Sequence, residues 1–135
     1  MSRSLVICKP DAVERRLVGE IIRRIEAEGL SLAAAELRLL DTETLDRHYG
    51  EHLGKPFYGD LVMFMSRSPS LLLVVEGAPE THLKVRAIMG ATDPARADSG
   101  TIRGDLGTGM PENLVHGSDS AESAEREIAI FFPGL

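Results

Sequence analysis

Apolar and polar positions along the chain follow two periods, and the switches between them mark the elements. Ser4–Cys8 is an apolar run closed by Lys9-Pro10-Asp11, which predicts a strand followed by a turn. Val18, Ile21, Ile22 and Ile25 fall at i, i+3, i+4 and i+7, with Glu20, Arg23, Arg24 and Glu26 between them. That spacing predicts an amphipathic helix, stopped by Gly29. Leu30–Leu40 is alanine-rich but lies between a glycine and an aspartate, and reads as a strand. Asp41 caps a helix running to about Tyr49, with Leu45, His48 and Tyr49 on one face. Pro56 opens another, with Leu61, Phe64 and Met65 inward. Ser70–Glu76 is the strongest strand, and Gly77-Ala78-Pro79 ends it. Glu80–Met89 is helical up to Gly90. Leu114–Gly117 is a short strand, and Asp119 caps a last helix, with Glu122 as partner in a capping box and Ala124, Ile128 and Phe131 as the inner stripe. The order β-α-β-α-α-β-α-β-α fits an α+β, ferredoxin-like (split βαβ) sandwich. It has a four-stranded antiparallel sheet with helices on one face, in a single domain over residues 1–135.

Between Met89 and Leu114 the periodicity lapses. Ala91–Asn113 holds Gly100, Gly104, Gly107 and Gly109 and two prolines, and reads as one long loop. Structureless loops of that length are uncommon in compact domains and are usually functional.

Composition narrows the function classes. The net charge is −6, which argues against a nucleic-acid binder but not against a small anionic ligand held by a few local cations. Cys8 is the only cysteine, so no internal disulfide forms and a reducing compartment is expected. The longest apolar run, Leu71–Val75, is far short of a membrane span, and Lys9-Pro10-Asp11 interrupts the first apolar stretch too early for a leader. A cytoplasmic location is the expectation. Arginine outnumbers lysine twelve to three, and Asn113 is the only asparagine; nucleotide bias explains such skew as readily as function does.

Two motif readings are set aside. No Walker loop is present, and the glycines at 107 and 109 do not complete a G-x-G-x-x-G because Glu112 takes the last place. His48-Tyr49-Gly50-Glu51-His52 spells an inverted zinc-peptidase pattern, but Gly50 interrupts the helix and no third ligand lies nearby. Two partly exposed histidines near a helix end account for it.

His116 is more informative. It ends a strand beside Gly117, with Ser118 close by and Glu127 on the last helix able to turn back toward it. A histidine with one nitrogen held by a carboxylate keeps a free lone pair on the other, the layout of a nucleophile or general base. A histidine that merely finishes a strand is the plain alternative. Arg86, Arg103 and Lys9, with Thr92 between the two arginines, suggest a converging anion site; surface ion pairs are the alternative for each alone.

Taken together, these segments resemble the nucleoside diphosphate kinases. The resemblance runs from Lys9-Pro10-Asp11 and Leu17-Val18-Gly19-Glu20-Ile21 through His48-Tyr49, Lys55-Pro56-Phe57 and Gly90-Ala91-Thr92-Asp93-Pro94. It continues through Thr101-Ile102-Arg103-Gly104-Asp105 to Asn113-Leu114-Val115-His116-Gly117-Ser118-Asp119-Ser120. It implies a ping-pong transfer of the terminal phosphate from nucleoside tri- to diphosphates, with little base selectivity, through phosphohistidine on His116. Glu127 and Ser118 would orient the imidazole and support the transferring group. Arg86, Thr92 and Arg103 would hold phosphates, and Lys9 and Asn113 would contact the sugar 3′-hydroxyl and the transferring phosphate. Tyr49 would line the phosphate end and Phe57 would stack on the base. Mg²⁺ would arrive on the nucleotide phosphates, with no dedicated protein cage. A homo-oligomer is implied, hexamer before tetramer; the net charge of −6 argues against nucleic acid as a partner and the short apolar runs against a membrane. A non-catalytic nucleotide-binding module on the same fold is the competing reading, but it would be expected to lack one of His116, Lys9, Arg103 or Glu127. The chain departs from the usual pattern at Arg96, Asp98 and Ser99, in a loop linked to subunit contacts. It departs again at Leu106, at Gly109-Met110-Pro111-Glu112, and at Phe131.

Overall fold

The computed structural model describes residues 2–135. Strands β1 (Ser2–Cys8), β2 (Ser31–Arg38), β3 (Ser70–Ala78) and β4 (Val115–Gly117) form one antiparallel sheet in the order β2-β3-β1-β4. Cys8 pairs with Leu71 on one side of β1, and Ile7 pairs with His116 on the other. This is the split βαβ arrangement expected from the sequence.

Among the described residues, seven α-helices accompany the sheet: α1 (Pro10–Glu14), α2 (Val18–Ala27), α3 (Thr42–His48), α4 (Tyr58–Ser66), α5 (Thr81–Met89), α6 (Ile102–Leu106) and α7 (Ala121–Phe131). They cover both faces, not one. Val6, Cys8, Leu73 and Val75 pack with Ile21 and Ile25 of α2 and Val85 and Met89 of α5. Leu5, Ile7, Leu72 and Val74 pack with Leu45 of α3, Phe64 and Met65 of α4 and Phe131 of α7. The reason is visible in β1 and β3: their central residues are apolar without alternation, so each face needs a cover. Each fully buried Leu, Ile or Phe contributes roughly 1.5–3 kcal/mol, so neither layer is dispensable.

Three further details differ from the sequence expectation. The turn after β1 is a helical turn, α1, because Pro10 sits at its first position, where a missing N–H costs nothing. The long loop contains a 3-10 turn at Pro94–Arg96 and helix α6, whose cap Thr101 accepts a hydrogen bond from the Gly104 amide. The cap of α7 is Ser120, which accepts from the Ser123 amide, while Asp119 is exposed one residue too early.

Candidate active site

The strand ends, two helix termini and the glycine-rich segment open onto one cleft of about 990 Å³. Lys9 follows β1, His116 lies in β4, Glu127 in α7 and Arg86 in α5, while Tyr49 ends α3. Phe57, Thr92, Arg103, Met110 and Asn113 complete the functional lining. Segments distant in sequence meet here because β1, central in the sheet, delivers Lys9 beside the segment leading into β4: the Lys9 amide donates to the Leu114 carbonyl at 2.8 Å. Leu114 itself adopts a left-handed backbone at φ 75°, and its amide donates to Asp11 Oδ2 at 3.1 Å, which stabilises that turn.

His116 Nε2 lies 3.0 Å from Glu127 Oε1. The same oxygen accepts from the Ser118 hydroxyl at 2.6 Å, and the Leu5 amide of β1 donates to that hydroxyl at 3.2 Å. Burial pushes the Glu127 carboxyl up, but contacts with His116 and Ser118 outweigh it and leave the group below its ordinary value. An ionised carboxylate only accepts, so Nε2 carries the imidazole proton and Nδ1 keeps the lone pair. Ser118 is fully buried behind Glu127 and does not line the cleft. Its hydroxyl reaches the cleft only through its hydrogen bond to Glu127.

The cations are built in to different depths. Lys9 is 8% exposed, and its ammonium donates to Asn113 Oδ1 at 2.7 Å. Burial and then the Arg103 charge push it down to about 8, with Asp11 opposing. Asn113 in turn donates to the Thr92 carbonyl at 2.8 Å. Arg103 donates to the carbonyls of Asn113 at 3.3 Å, Gly90 at 3.1 Å and Val115 at 2.6 Å, so its guanidinium ties three segments of the cleft wall. Burial, then the neighbouring Arg86 charge, lower it to about 10. Arg86 and Thr92 are exposed at the cleft, and the Phe57 and Met110 side chains stand exposed at its rim.

The Arg103 brace depends on a close approach at Gly104, where a Cβ would collide with the Asp98 carbonyl and meet Thr101 Oγ1 at 2.8 Å. Gly104→Ala will therefore cost about 1–3 kcal/mol, read by urea unfolding. An unchanged urea midpoint would contradict this packing argument.

The sequence model of the nucleoside diphosphate kinase family matches residues 2–135. A nucleoside diphosphate kinase of Streptomyces coelicolor is 60% identical over 133 residues, covering 98% of this chain and 96% of the relative. One of Mycobacterium leprae is 54% identical over 134 residues, with 98% of both chains covered. The chain belongs to the nucleoside diphosphate kinase family. Among solved structures, a nucleoside diphosphate kinase family protein of Babesia bovis superposes with a TM-score of 0.94 at 42% identity, over 98% of this chain and 88% of that one. A halophilic nucleoside diphosphate kinase of Halobacterium salinarum, solved in complex with CDP, gives 0.93 at 44% identity, over 97% and 87%.

Within this nucleoside diphosphate kinase fold, the positions singled out in the sequence converge on one cleft, Ser118 apart. Two groups were not singled out for the cleft. Asp11 fixes the Leu114 turn from below. His48 is buried against the rings of His116, Tyr49 and Phe131 at centroid distances of 4.8, 4.4 and 5.2 Å. Burial, then the His116 charge, push His48 down to about 3, so it is neutral. Its place on the inner face of α3 beside Leu45 was the available signal. His52 and Glu51 stand apart from it, at 30% and 81% side-chain exposure, which disposes of the five-residue zinc pattern as a unit.

Proposed function

We propose that the chain, a single domain over residues 1–135, moves the terminal phosphoryl group from a nucleoside triphosphate to a nucleoside diphosphate in two half-reactions on His116. The carrying observation is the imidazole tied through Nε2 to a buried carboxylate, in a cleft lined by Lys9, Arg86 and Arg103. In the first half-reaction the Nδ1 lone pair attacks the γ-phosphorus. The bond to the β–γ bridging oxygen breaks, and the diphosphate leaves with that oxygen. In the second, a terminal oxygen of another diphosphate attacks the same phosphorus and the N–P bond breaks. Such transfers ask for positioning and charge stabilisation more than for acid–base work. Lys9, Arg86, Thr92 and Arg103 supply these to the phosphates, Tyr49 walls the phosphate end, and Glu127, backed by Ser118, keeps the ring in one orientation. Lys9 and Asn113 take the sugar 3′-hydroxyl, and Phe57 takes the base.

Mg²⁺ fits as part of the substrate. It prefers an oxygen shell and keeps several waters, whereas the metal-type cluster among the described residues, His48, His116 and Glu127, offers two nitrogens and one carboxylate. Carried by the phosphates, it would neutralise their charge.

Incubation with [γ-³²P]ATP and no acceptor tests this reading. Acid-labile, alkali-stable label will form on the chain and will be discharged by added GDP. Failure to label would overturn it. The alkaline side of the pH profile gives a second expected result. In the free chain Lys9 is charged below about 8 and loses its proton above. Hence kcat/KM will fall as pH rises through that region, and Lys9→Met will lower activity and flatten this limb. A parent profile flat from neutrality to pH ~10 would contradict the Lys9 assignment.

A homo-oligomer, hexamer before tetramer, is part of the same reading. Strand β2 ends the sheet, and Leu37 and Leu39 at its end are 59% and 65% exposed, features that pairing with a second copy would cover. The segment around Pro94–Gly100 is expected at the edge of subunit contacts. No described helix is long and apolar enough to cross a membrane. A cytoplasmic location follows from the proposed substrates, and nucleic acid is not proposed as a partner for so acidic a chain.

A further inference from the structure

His48 is a polar side chain of the cleft wall for which phosphoryl transfer has no task. Its side chain is only 2% exposed, and neither ring nitrogen has a hydrogen-bond partner. Buried polar groups are normally paired, so this orphan points to a missing ligand. Its Nδ1 lies 3.9 Å from Glu127 Oε2, while His116 Nε2 lies 3.0 Å from Oε1 of the same carboxylate. One donor atom from each of the three residues falls within 4.8 Å of the other two.

We propose that in the nucleotide-free chain His48, His116 and Glu127 bind a borderline divalent cation of the Zn²⁺ class, and that the bound cation silences His116. Two imidazoles and a carboxylate, with a fourth position left for water, are the donor set that zinc takes in open sites and that Mg²⁺ does not. Tetrahedral bonds of about 2.0–2.1 Å put ligand atoms about 3.4 Å apart. The His116–Glu127 pair, at 3.0 Å, is within about 0.4 Å of that separation, and His48, within 4.8 Å of both other donor atoms, has to close by no more than about 1.4 Å. Lys9 in the cleft and Arg126, whose Nη2 is 3.7 Å from Glu127 Oε2, oppose the added charge. The site is therefore weaker than a closed structural zinc centre, which suits reversible control.

The silencing follows from the two nitrogens of one ring. A cation bound at His116 Nε2 takes the place of the proton held there, which passes through solvent to the other nitrogen of the same ring. In the neutral ring that proton sits on Nδ1, where the attacking lone pair had been. The ring stays neutral, no electron changes hands, and the nucleophile is blocked without being touched. This second step rests on the proposed role of His116; the cation site does not.

The test uses the whole ¹⁵N-labelled chain, free of nucleotide, titrated with ZnCl₂ in excess Mg²⁺ while the imidazole nitrogens are followed by NMR. His48 and His116 will shift together and saturate at one zinc per chain, and His116 Nδ1 will change from unprotonated to protonated. His52 and His82 will not move. Zinc affinity will fall about tenfold or more in His48→Gln and will hold in His52→Gln. Shifts confined to His52 or His82, or an unmoved His48, would overturn the site. The parent spectra decide this even if His48→Gln fails to fold. In parallel, bound zinc will suppress the ³²P label. Label that forms equally with zinc bound overturns the silencing, whereas no label in metal-free chain sinks the phosphohistidine reading and the silencing with it, leaving the cation site to the NMR result.

Discussion

His116→Ala will take no acid-labile phosphate from ATP and will transfer the γ-phosphoryl group at least about 10⁴-fold more slowly than the parent, a loss of about 5.5 kcal/mol of transition-state stabilisation. The size follows from what is removed. Lys9, Arg86 and Arg103 would still gather the phosphates, so nucleotide affinity will change little, but the lining imidazole hydrogen-bonded to Glu127 is gone. Tyr49, also in the cleft lining, is no substitute. Its phenol is pushed well above its ordinary value by burial and then by Glu127, so it stays protonated and inert. The side chain at 116 is 25% exposed, and its removal leaves only a small gap at the cleft, so the variant will fold. Quench-flow with labelled ATP measures the first half-reaction directly. Transfer within tenfold of the parent would end the covalent mechanism. Glu127→Ala is the informative contrast. It keeps the nitrogen but loses its orientation, so label will still form, about 10²-fold more slowly.

A 3′-deoxynucleoside triphosphate will be a poorer donor than its 2′-deoxy counterpart by about 10²–10³ in kcat/KM. Lys9 and Asn113 are each almost wholly buried and already bonded to one another at 2.7 Å. Groups so placed meet a 3′-hydroxyl with little loss of freedom. When that hydroxyl is missing, these two nearly buried groups are left under-bonded, which is why absent hydroxyls discriminate more strongly than added methylenes. The base will behave in the opposite way. Phe57 and Met110 lie at the rim with large exposed surfaces, and a flat ring stacks on any base while a thioether adapts to it. ATP, GTP, CTP and UTP will therefore fall within about two orders of magnitude of one another. Steady-state rates with matched nucleotides check both halves. Equal rates for the 2′- and 3′-deoxy forms would remove the sugar contact.

The sheet was legible in the sequence because β1 and β3 are dense apolar runs with abrupt ends at Lys9-Pro10 and at Gly77. The cap at Asp41 was legible for the same local reason: its oxygen accepts from the Thr44 amide, an interaction three residues long. What failed to show was set by contacts between distant segments. Helix α6 carries a glycine at its centre and only Ile102 and Leu106 as an apolar pair, and depends on both reaching the core and on the Asp98–Gly104 approach. The cap slipped from Asp119 to Ser120 because Gly117 and Ser118 are first anchored against β1, which moves the helix start by one residue. The second helical layer was present in the pattern as missing alternation in β1, but a five-residue run does not by itself say that both faces are covered. At the cleft, the motif residues were readable as a set, whereas the contact of His48 with the His116 ring and the bond from the Leu114 amide to Asp11 were not. Both depend on which side of a strand end the neighbouring elements close.

The Leu5 amide, the Ser118 hydroxyl, the Glu127 carboxylate and the His116 ring form an unbroken series from the middle of the sheet to the floor of the cleft. The ring proposed to react is thus tied to β1, a strand paired on both sides, while Phe57 and Met110, proposed to meet the base, stand exposed at the rim. Tolerance and exactness are divided between two parts of one cleft: substrates that differ in their bases can be gripped by parts that yield, and each presents its phosphorus to a nitrogen that does not.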